Sequence, residues 1–274
     1  MIEGGDPARE FVEFALRLAD AAGAVVRKYY RAALAVESKA DASPVTIADR
    51  EAEQTLREMI RAVYPRHGIE GEEFPGERLD AEFVWRLDPI DGTKSFVIGR
   101  PLFGTLIALT RAGRPVLGVI DQCILEERWV GVAGRGSTWN GRPIRVRACP
   151  TLAEAILSLT SPQMFSAAER AAVARLESAV RFPVYGGDCY AYGLLAMGSV
   201  DLIVEADLDV HDFMALVPVI EGAGGLVTDW QGAALTPASD GRIVAAGDPR
   251  VHESALKALR QLRPDRLTPP EQLP

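Results

Sequence analysis

A chain of 274 residues, 48% hydrophobic and 25% charged, has the size of one large domain or two closely joined ones. Its composition is that of a globular protein, which excludes wholesale disorder, a collagen-like chain and a disulfide scaffold. Thirty Lys and Arg against 38 Asp and Glu give a net charge of −8, which argues against non-specific nucleic-acid binding but leaves room for a local cationic site, or a metal, around a phosphate.

Asp6-Pro7 reads as an N-cap followed by a helix-starting proline. Phe11, Ala15, Leu18, Ala22 and Val25 then recur at helical spacing, predicting a first helix to about residue 31. Lys39 to Pro44 is a polar loop, and a second helix follows Thr46 with Ile47, Leu56, Met59, Ile60 and Val63 toward the core. Strands are expected at Phe83 to Leu87, Gly104 to Thr110, Val116 to Ile120 and Arg128 to Val132, joined by turns such as Ala112-Gly113-Arg114. Residues 1–150 therefore read as two helices on a largely antiparallel sheet.

Residues 151–274 read differently. Strands at 155–159, 182–185, 201–204, 226–228 and 243–245 alternate with helices at 166–178, 189–197, 212–222 and 249–262, which suggests helices layered on a second sheet. Pro218 is expected to kink the 212–222 helix, and the Pro-rich stretch 264–274 to form a frayed terminus. The longest run without Asp, Glu, Lys or Arg, residues 155–168, is shorter than the roughly 20 apolar residues that cross a bilayer, so no membrane span is expected. The early acids Glu3, Asp6 and Glu10, without a basic leader, argue against a secretory signal. Cys123, Cys149 and Cys189 contain no CxxC pair and fit reduced thiols in a cytoplasm.

The chemistry concentrates in Asp88-Pro89-Ile90-Asp91-Gly92-Thr93, where two carboxylates three residues apart meet a turn, with Pro89 expected to stop the strand. Taken alone this string is equally an Asp-Pro turn with Asp91 capping a helix. Gly71-Glu72-Glu73 upstream and Val210-His211-Asp212 downstream supply further acids. Four acids in one place repel one another unless cations lie between them. An all-oxygen set favours a hard ion, Mg²⁺ before Mn²⁺ or Ca²⁺, and Mg²⁺ usually completes its shell with substrate phosphate.

These pieces, with Glu221-Gly222-Ala223-Gly224-Gly225, resemble the inositol monophosphatase superfamily of metal-dependent phosphatases in identity and order. The resemblance implies an αβαβα layered α/β sandwich, with Glu72, Asp88, Asp91, Asp212 and the carbonyl of Ile90 as ligands of two or three Mg²⁺. It also implies that Thr93 pairs with Asp49 to orient the attacking water, that Glu72 takes part in catalysis, and that Gly187, Glu205 and Asp212 contact substrate. Two Mg²⁺ would hold the phosphoryl group and activate that water. The N–H groups of Gly92 and Thr93, opening a short helix, can bind phosphate oxygens. The family's members are commonly homodimers, and a symmetric pair is expected here.

Thr93-Lys94-Ser95-Phe96, Gly99 to Thr105, and Tyr185-Gly186-Gly187-Asp188-Cys189-Tyr190 look like the histidinol-phosphatase branch. Histidinol carries an ammonium, so Asp188 and Glu205 can pair with a cation that inositol lacks. Asp188 is equally readable as a helix cap. The expected substrate is thus a small phosphate ester, L-histidinol phosphate, at the penultimate stage of histidine synthesis. Inositol phosphate, a sugar phosphate or a nucleotide 3′-phosphate is the alternative, and a non-catalytic RNA- or transcription-binding regulator a remoter one. His211, Tyr190, Tyr192 and Cys189 are expected to pack rather than react.

Overall fold

The computed structural model describes residues 7–32, 37–38 and 44–260. The first helix, α1 (Pro7–Tyr29), is followed by a short antiparallel pair, β1 (Glu37–Ser38) and β2 (Pro44–Val45), and by α2 (Ile47–Val63). Strands β3 (Gly68–Gly71), β4 (Phe83–Asp91), β5 (Gly104–Arg111), β6 (Arg114–Gln122), β7 (Glu127–Val132), β8 (Gly136–Trp139) and β9 (Arg142–Pro143) form a seven-stranded sheet in sequence order, antiparallel except for β3 beside β4. Between β4 and β5 lies α3 (Thr93–Val97).

The second sheet contains β10 (Ile156–Leu159), β11 (Phe182–Tyr185), β12 (Leu202–Glu205), β13 (Leu226–Asp229) and β14 (Ile243–Ala246) in the order β11-β10-β12-β14-β13. Its helices are α4 (Ala167–Ala179), α5 (Asp188–Ala196), α6 (Val210–Phe213), α7 (Leu216–Gly222) and α8 (Pro249–Arg260).

Strand alternation makes these parts into five layers. Ile107 and Leu109 of β5 face α1 and α2, packing on Phe14, Leu18, Leu56 and Ile60. Leu106 and Ala108, one residue out of phase, face α5 and α7 with Tyr192, Leu195, Leu216 and Ile220. Ile203 of β12 closes that middle layer from the second sheet, while Leu202 and Val204 turn outward onto α4 and α8. The result is the αβαβα sandwich, with one helical layer shared by both sheets. Two glycines let α7 lie almost on the sheet backbone: a Cβ at Gly118 would stand 1.9 Å from Ala215 O, and one at Gly131 2.2 Å from Pro218 O.

Several sequence expectations are corrected. Ile47 and Val63 are 51% and 46% exposed. Ile47 stands half a turn round α2 from Leu56, and Val63 is its last residue, beyond the sheet it would cover. The stretch 212–222 is two helices broken at 214–215, and Pro218 lies in the first turn of α7, where its missing N–H costs no hydrogen bond and produces no kink. The short strands β8 and β9 were not anticipated. Asp6, residues 39–43 of the polar loop, the end of the last helix at 261–262 and the 264–274 tail lie outside the described residues, and Pro44 pairs in β2. No helix among the described residues is long and apolar enough to cross a membrane.

Candidate active site

Two side chains three residues apart on a regular strand point to opposite faces. Asp88 and Asp91 escape this because pairing with β5 skips from Asp88 opposite Leu106 to Asp91 opposite Gly104, three steps against two. The resulting bulge carries Pro89 and brings both acids to one side. Pro89 therefore does not stop the strand, and its carbonyl accepts from Thr105 Oγ1 at 2.8 Å. Asp212, from α6, completes a trio whose ligand oxygens all lie within 4.8 Å of one another.

Each acid is held from outside the trio. Ile90 N donates to Asp88 Oδ1 at 2.9 Å and Cys189 N to Asp91 Oδ2 at 2.5 Å. Asp209 N donates to Asp212 Oδ2 at 2.7 Å, half of a reciprocal capping box. His211 Nε2 stands 3.4 Å from Asp212 Oδ1. Glu72, just past β3, borders the trio closely enough to hydrogen-bond Asp88.

Burial is the largest influence on all three acids and raises them. Asp88 is held well above the ordinary carboxylate range by burial, then by the charges of Glu72, Asp91 and Asp212. Asp91 is likewise high through burial, Asp188 and Asp212. Asp212 is pushed up to about 6, with His211 partly opposing the rise. A cluster of oxygen donors this costly to ionise fits a hard divalent cation, which would favour the charged forms.

Asp49 and Thr93 are not joined by a hydrogen bond. Asp49 Oδ2 accepts from Thr46 Oγ1 at 2.6 Å and Thr46 N at 2.8 Å, capping α2, while Thr93 Oγ1 donates to Ile90 O at 3.1 Å. Asp49 is buried and feels the charge of Glu72. Gly92, at φ 88°, turns the chain from β4 into α3 and, with Thr93, borders a cleft of about 510 Å³ also lined by Glu72, Lys94, Arg100 and Gln163.

Asp188 closes the cleft opposite α3. Its backbone is left-handed at φ 44°, after Gly186 and Gly187 at 81° and 130°. Three successive residues of this hand are strained for the one that carries a side chain. Asp188 Oδ2 lies 3.4 Å from Ser95 Oγ, and burial lifts the group to about 6 against the pull of Ser95, Arg100 and Lys94. Gly187 caps α5 rather than lining the cleft.

Glu205 is placed differently. It is buried behind the cleft, where Oε1 accepts from Thr160 Oγ1 at 2.5 Å and Oε2 from Tyr192 OH at 2.9 Å, and burial lifts it to about 7. Tyr192 is thus a core residue that orients this acid. Tyr190 lies edge-on to Trp129, and Cys189 is a buried thiol pushed well up by burial.

Sequence reasoning missed Thr160, Ser161 and Gln163 in the cleft, which no motif marks. It also missed Glu53 and Arg57, although a charged pair four apart beside Ala52, Leu56 and Ile60 was a readable sign of a buried ion pair. A separate cavity of about 590 Å³ lies between α1 and β6–β8. There Asp121 is already paired with Arg128 at 2.6 Å, and among the described residues no second metal-ligand group of this kind occurs.

A model described as the inositol monophosphatase family matches residues 8–263. The Arabidopsis thaliana protein named "Bifunctional phosphatase IMPL2, chloroplastic" is 50% identical over 251 residues, 88% of this chain and 72% of that protein. A histidinol-phosphatase of Chlorobaculum parvum is 36% identical over 223 residues, covering 81% of this chain and 86% of its own. The solved structure of an inositol monophosphatase from Zymomonas mobilis superposes with a TM-score of 0.86 at 46% identity, covering 93% of this chain and 100% of that one.

Proposed function

The chain belongs to the inositol monophosphatase family of phosphatases, and from that premise we propose that it is a Mg²⁺-dependent phosphomonoesterase that hydrolyses L-histidinol phosphate to L-histidinol and phosphate, a step of histidine synthesis. The observation that carries the hydrolase reading is the convergence of Asp88, Asp91 and Asp212, with Asp91 and Asp212 lining an open cleft and Asp88 buried beside them.

Asp88, Asp91, Asp212, Glu72 and the Ile90 carbonyl would hold two or three Mg²⁺, with Mn²⁺ a substitute. Once bound, the ions would neutralise the phosphate and act as Lewis acids toward water and ester oxygen. The chain's own residues do the rest. Cys189 N–H and the Asp209–Asp212 box fix the two flanking carboxylates. The first N–H groups of α3 offer donors to phosphate oxygens, and Lys94 and Arg100 add positive charge to the cleft wall. Glu72 takes the proton of the attacking water as the water oxygen bonds to phosphorus and the ester P–O bond breaks. The leaving alkoxide takes a proton from solvent. Thr93 Oγ1, donating to Ile90 O, keeps its lone pairs available to that water, while Asp49 anchors the start of α2.

Asp188 supports a cationic substrate. Its carboxylate borders the cleft with only a long hydrogen bond from Ser95, leaving acceptor capacity for an ammonium. Glu205 acts behind it, since both its oxygens are already engaged. The histidinol-phosphatase of Chlorobaculum parvum lends the same support. A second reading, inositol phosphate, is favoured by the Zymomonas mobilis neighbour. Phosphate release from both esters, with and without a chelator, tests the proposal. We place the enzyme in the cytoplasm, consistent with three buried, unpaired thiols, and as a homodimer, which a light-scattering mass at micromolar concentration checks.

A further inference from the structure

Glu53 and Arg57 of α2, 0% and 1% exposed, form a buried ion pair that the chemistry above does not use. Arg57 Nε donates to Glu53 Oε1 at 2.7 Å. The other polar contacts of the pair converge on one segment. Glu53 Oε2 accepts from Glu73 N at 2.7 Å, Arg57 Nη2 donates to Phe74 O at 2.8 Å, and Arg57 Nη1 to Glu77 Oε1 at 3.0 Å. Glu77 and Ile69 exchange backbone hydrogen bonds at 2.8 and 2.9 Å, closing residues 69–77 into a loop. At Gly71 a Cβ would stand 2.2 Å from Glu53 Oε1. The two neighbours of Glu72, Gly71 and Glu73, are thus both seated on the Glu53 carboxylate.

We infer that the Glu53–Arg57 pair is a positioning device for Glu72: it fixes the backbone on either side of that residue so that its carboxylate is presented to the cation held by Asp88, Asp91 and Asp212. The inference rests on the metal-centre reading above. A buried pair kept for stability alone is often replaceable by apolar side chains without loss. This pair instead directs its remaining donors and acceptors onto the backbone of a ligand loop, as outer-shell groups of metal sites do.

The test is Mn²⁺ binding to the metal-free protein, followed by the electron paramagnetic resonance of free Mn²⁺, together with hydrogen exchange at the Glu73 amide. The double variant Glu53→Met/Arg57→Met removes both charges at once, so neither is left buried and unpaired. It is expected to keep its circular dichroism, to bind Mn²⁺ ten- to a hundredfold more weakly, and to exchange the Glu73 amide faster before any metal is added. The Mg²⁺ concentration for half-maximal activity should rise in step, while kcat at saturating Mg²⁺ largely recovers. Arg57→Lys, which keeps the charge but loses the fork to Phe74 and Glu77, should shift in the same direction. Glu53→Gln, which keeps an acceptor for Glu73 N–H, should bind more tightly than the double variant. Either Arg57 variant, folded and with wild-type Mn²⁺ affinity, overturns the positioning role alone. Wild-type protein that binds no Mn²⁺ overturns the metal reading as well.

Discussion

The backbone N–H of Cys189 donates to Asp91 Oδ2 at 2.5 Å, tying the first turn of α5 to the end of β4 across 98 residues of sequence. The site is therefore assembled between the two sheets' chain segments, and its geometry depends on how closely α5 meets β5. At that meeting, a Cβ on Gly104 would stand 2.7 Å from Cys189 Sγ. Gly104→Ala should push α5 away from Asp91, costing about 1–3 kcal/mol in urea denaturation and lowering kcat. A variant with the wild-type unfolding midpoint and rate would show that this contact does not set the site.

Asp88→Asn should separate stability from activity. The amide keeps the acceptor for Ile90 N but removes one of several buried carboxylates that repel one another. At pH 8 in chelator, its unfolding free energy should exceed that of the wild type by at least about 1 kcal/mol. Phosphate release with Mg²⁺ should fall to near background. Wild-type activity in the variant would place the reaction elsewhere.

The same acids set the pH dependence. Asp188 and Asp212 are raised to about 6 and Glu205 to about 7, above the value near 4 that a carboxyl has in an unfolded chain. Between those limits the folded protein holds more protons than the unfolded one, so stability falls as pH rises. The contribution is complete below about pH 4 and lost through about pH 7, on the order of 3 kcal/mol for Glu205 alone. Bound Mg²⁺ would compete with the protons of Asp88, Asp91 and Asp212, all of which burial raises, so the rise in melting temperature on adding Mg²⁺ should grow from pH 5 to pH 8. A rise that shrinks over that interval would contradict the assignment of these acids.

Asp188 and Glu205 should separate in their mutant kinetics. Asp188→Asn should cut kcat/KM for histidinol phosphate about ten- to a hundredfold while sparing p-nitrophenyl phosphate, as expected for a lost charge-assisted hydrogen bond of about 1.5–3 kcal/mol. Glu205→Gln should lower both substrates together, since Glu205 holds Thr160 and Tyr192 in place. Equal losses in Asp188→Asn would make that residue structural.

The sequence made the two acids of the 88–93 string legible because they are local, with Gly92 beside them. The bulge that makes the acids converge was not legible, because it depends on register against β5, a partner at long range. The five-layer order was expected from the family resemblance, whereas the two faces of β5 and β12 could not be told apart, since Leu106 to Leu109 and Leu202 to Val204 are apolar without interruption and only packing shows which side meets which helices. The distinction between Asp188 and Glu205 could not be read, since it rests on Thr160 and Tyr192, brought from 45 and 13 residues away. Pro218 misled for a different reason: the cost of a proline depends on its distance from the helix start, which periodicity leaves uncertain by a few residues.

The most direct measurement is the wild-type ratio of kcat/KM for L-histidinol phosphate to that for inositol 1-phosphate, taken with saturating Mg²⁺ and repeated in chelator. A ratio above about ten, on the scale of one lost charge-assisted hydrogen bond, with turnover of both esters abolished by chelation, is the result expected here. A ratio below one would contradict the histidinol assignment, and turnover that survives chelation would contradict the metal centre itself.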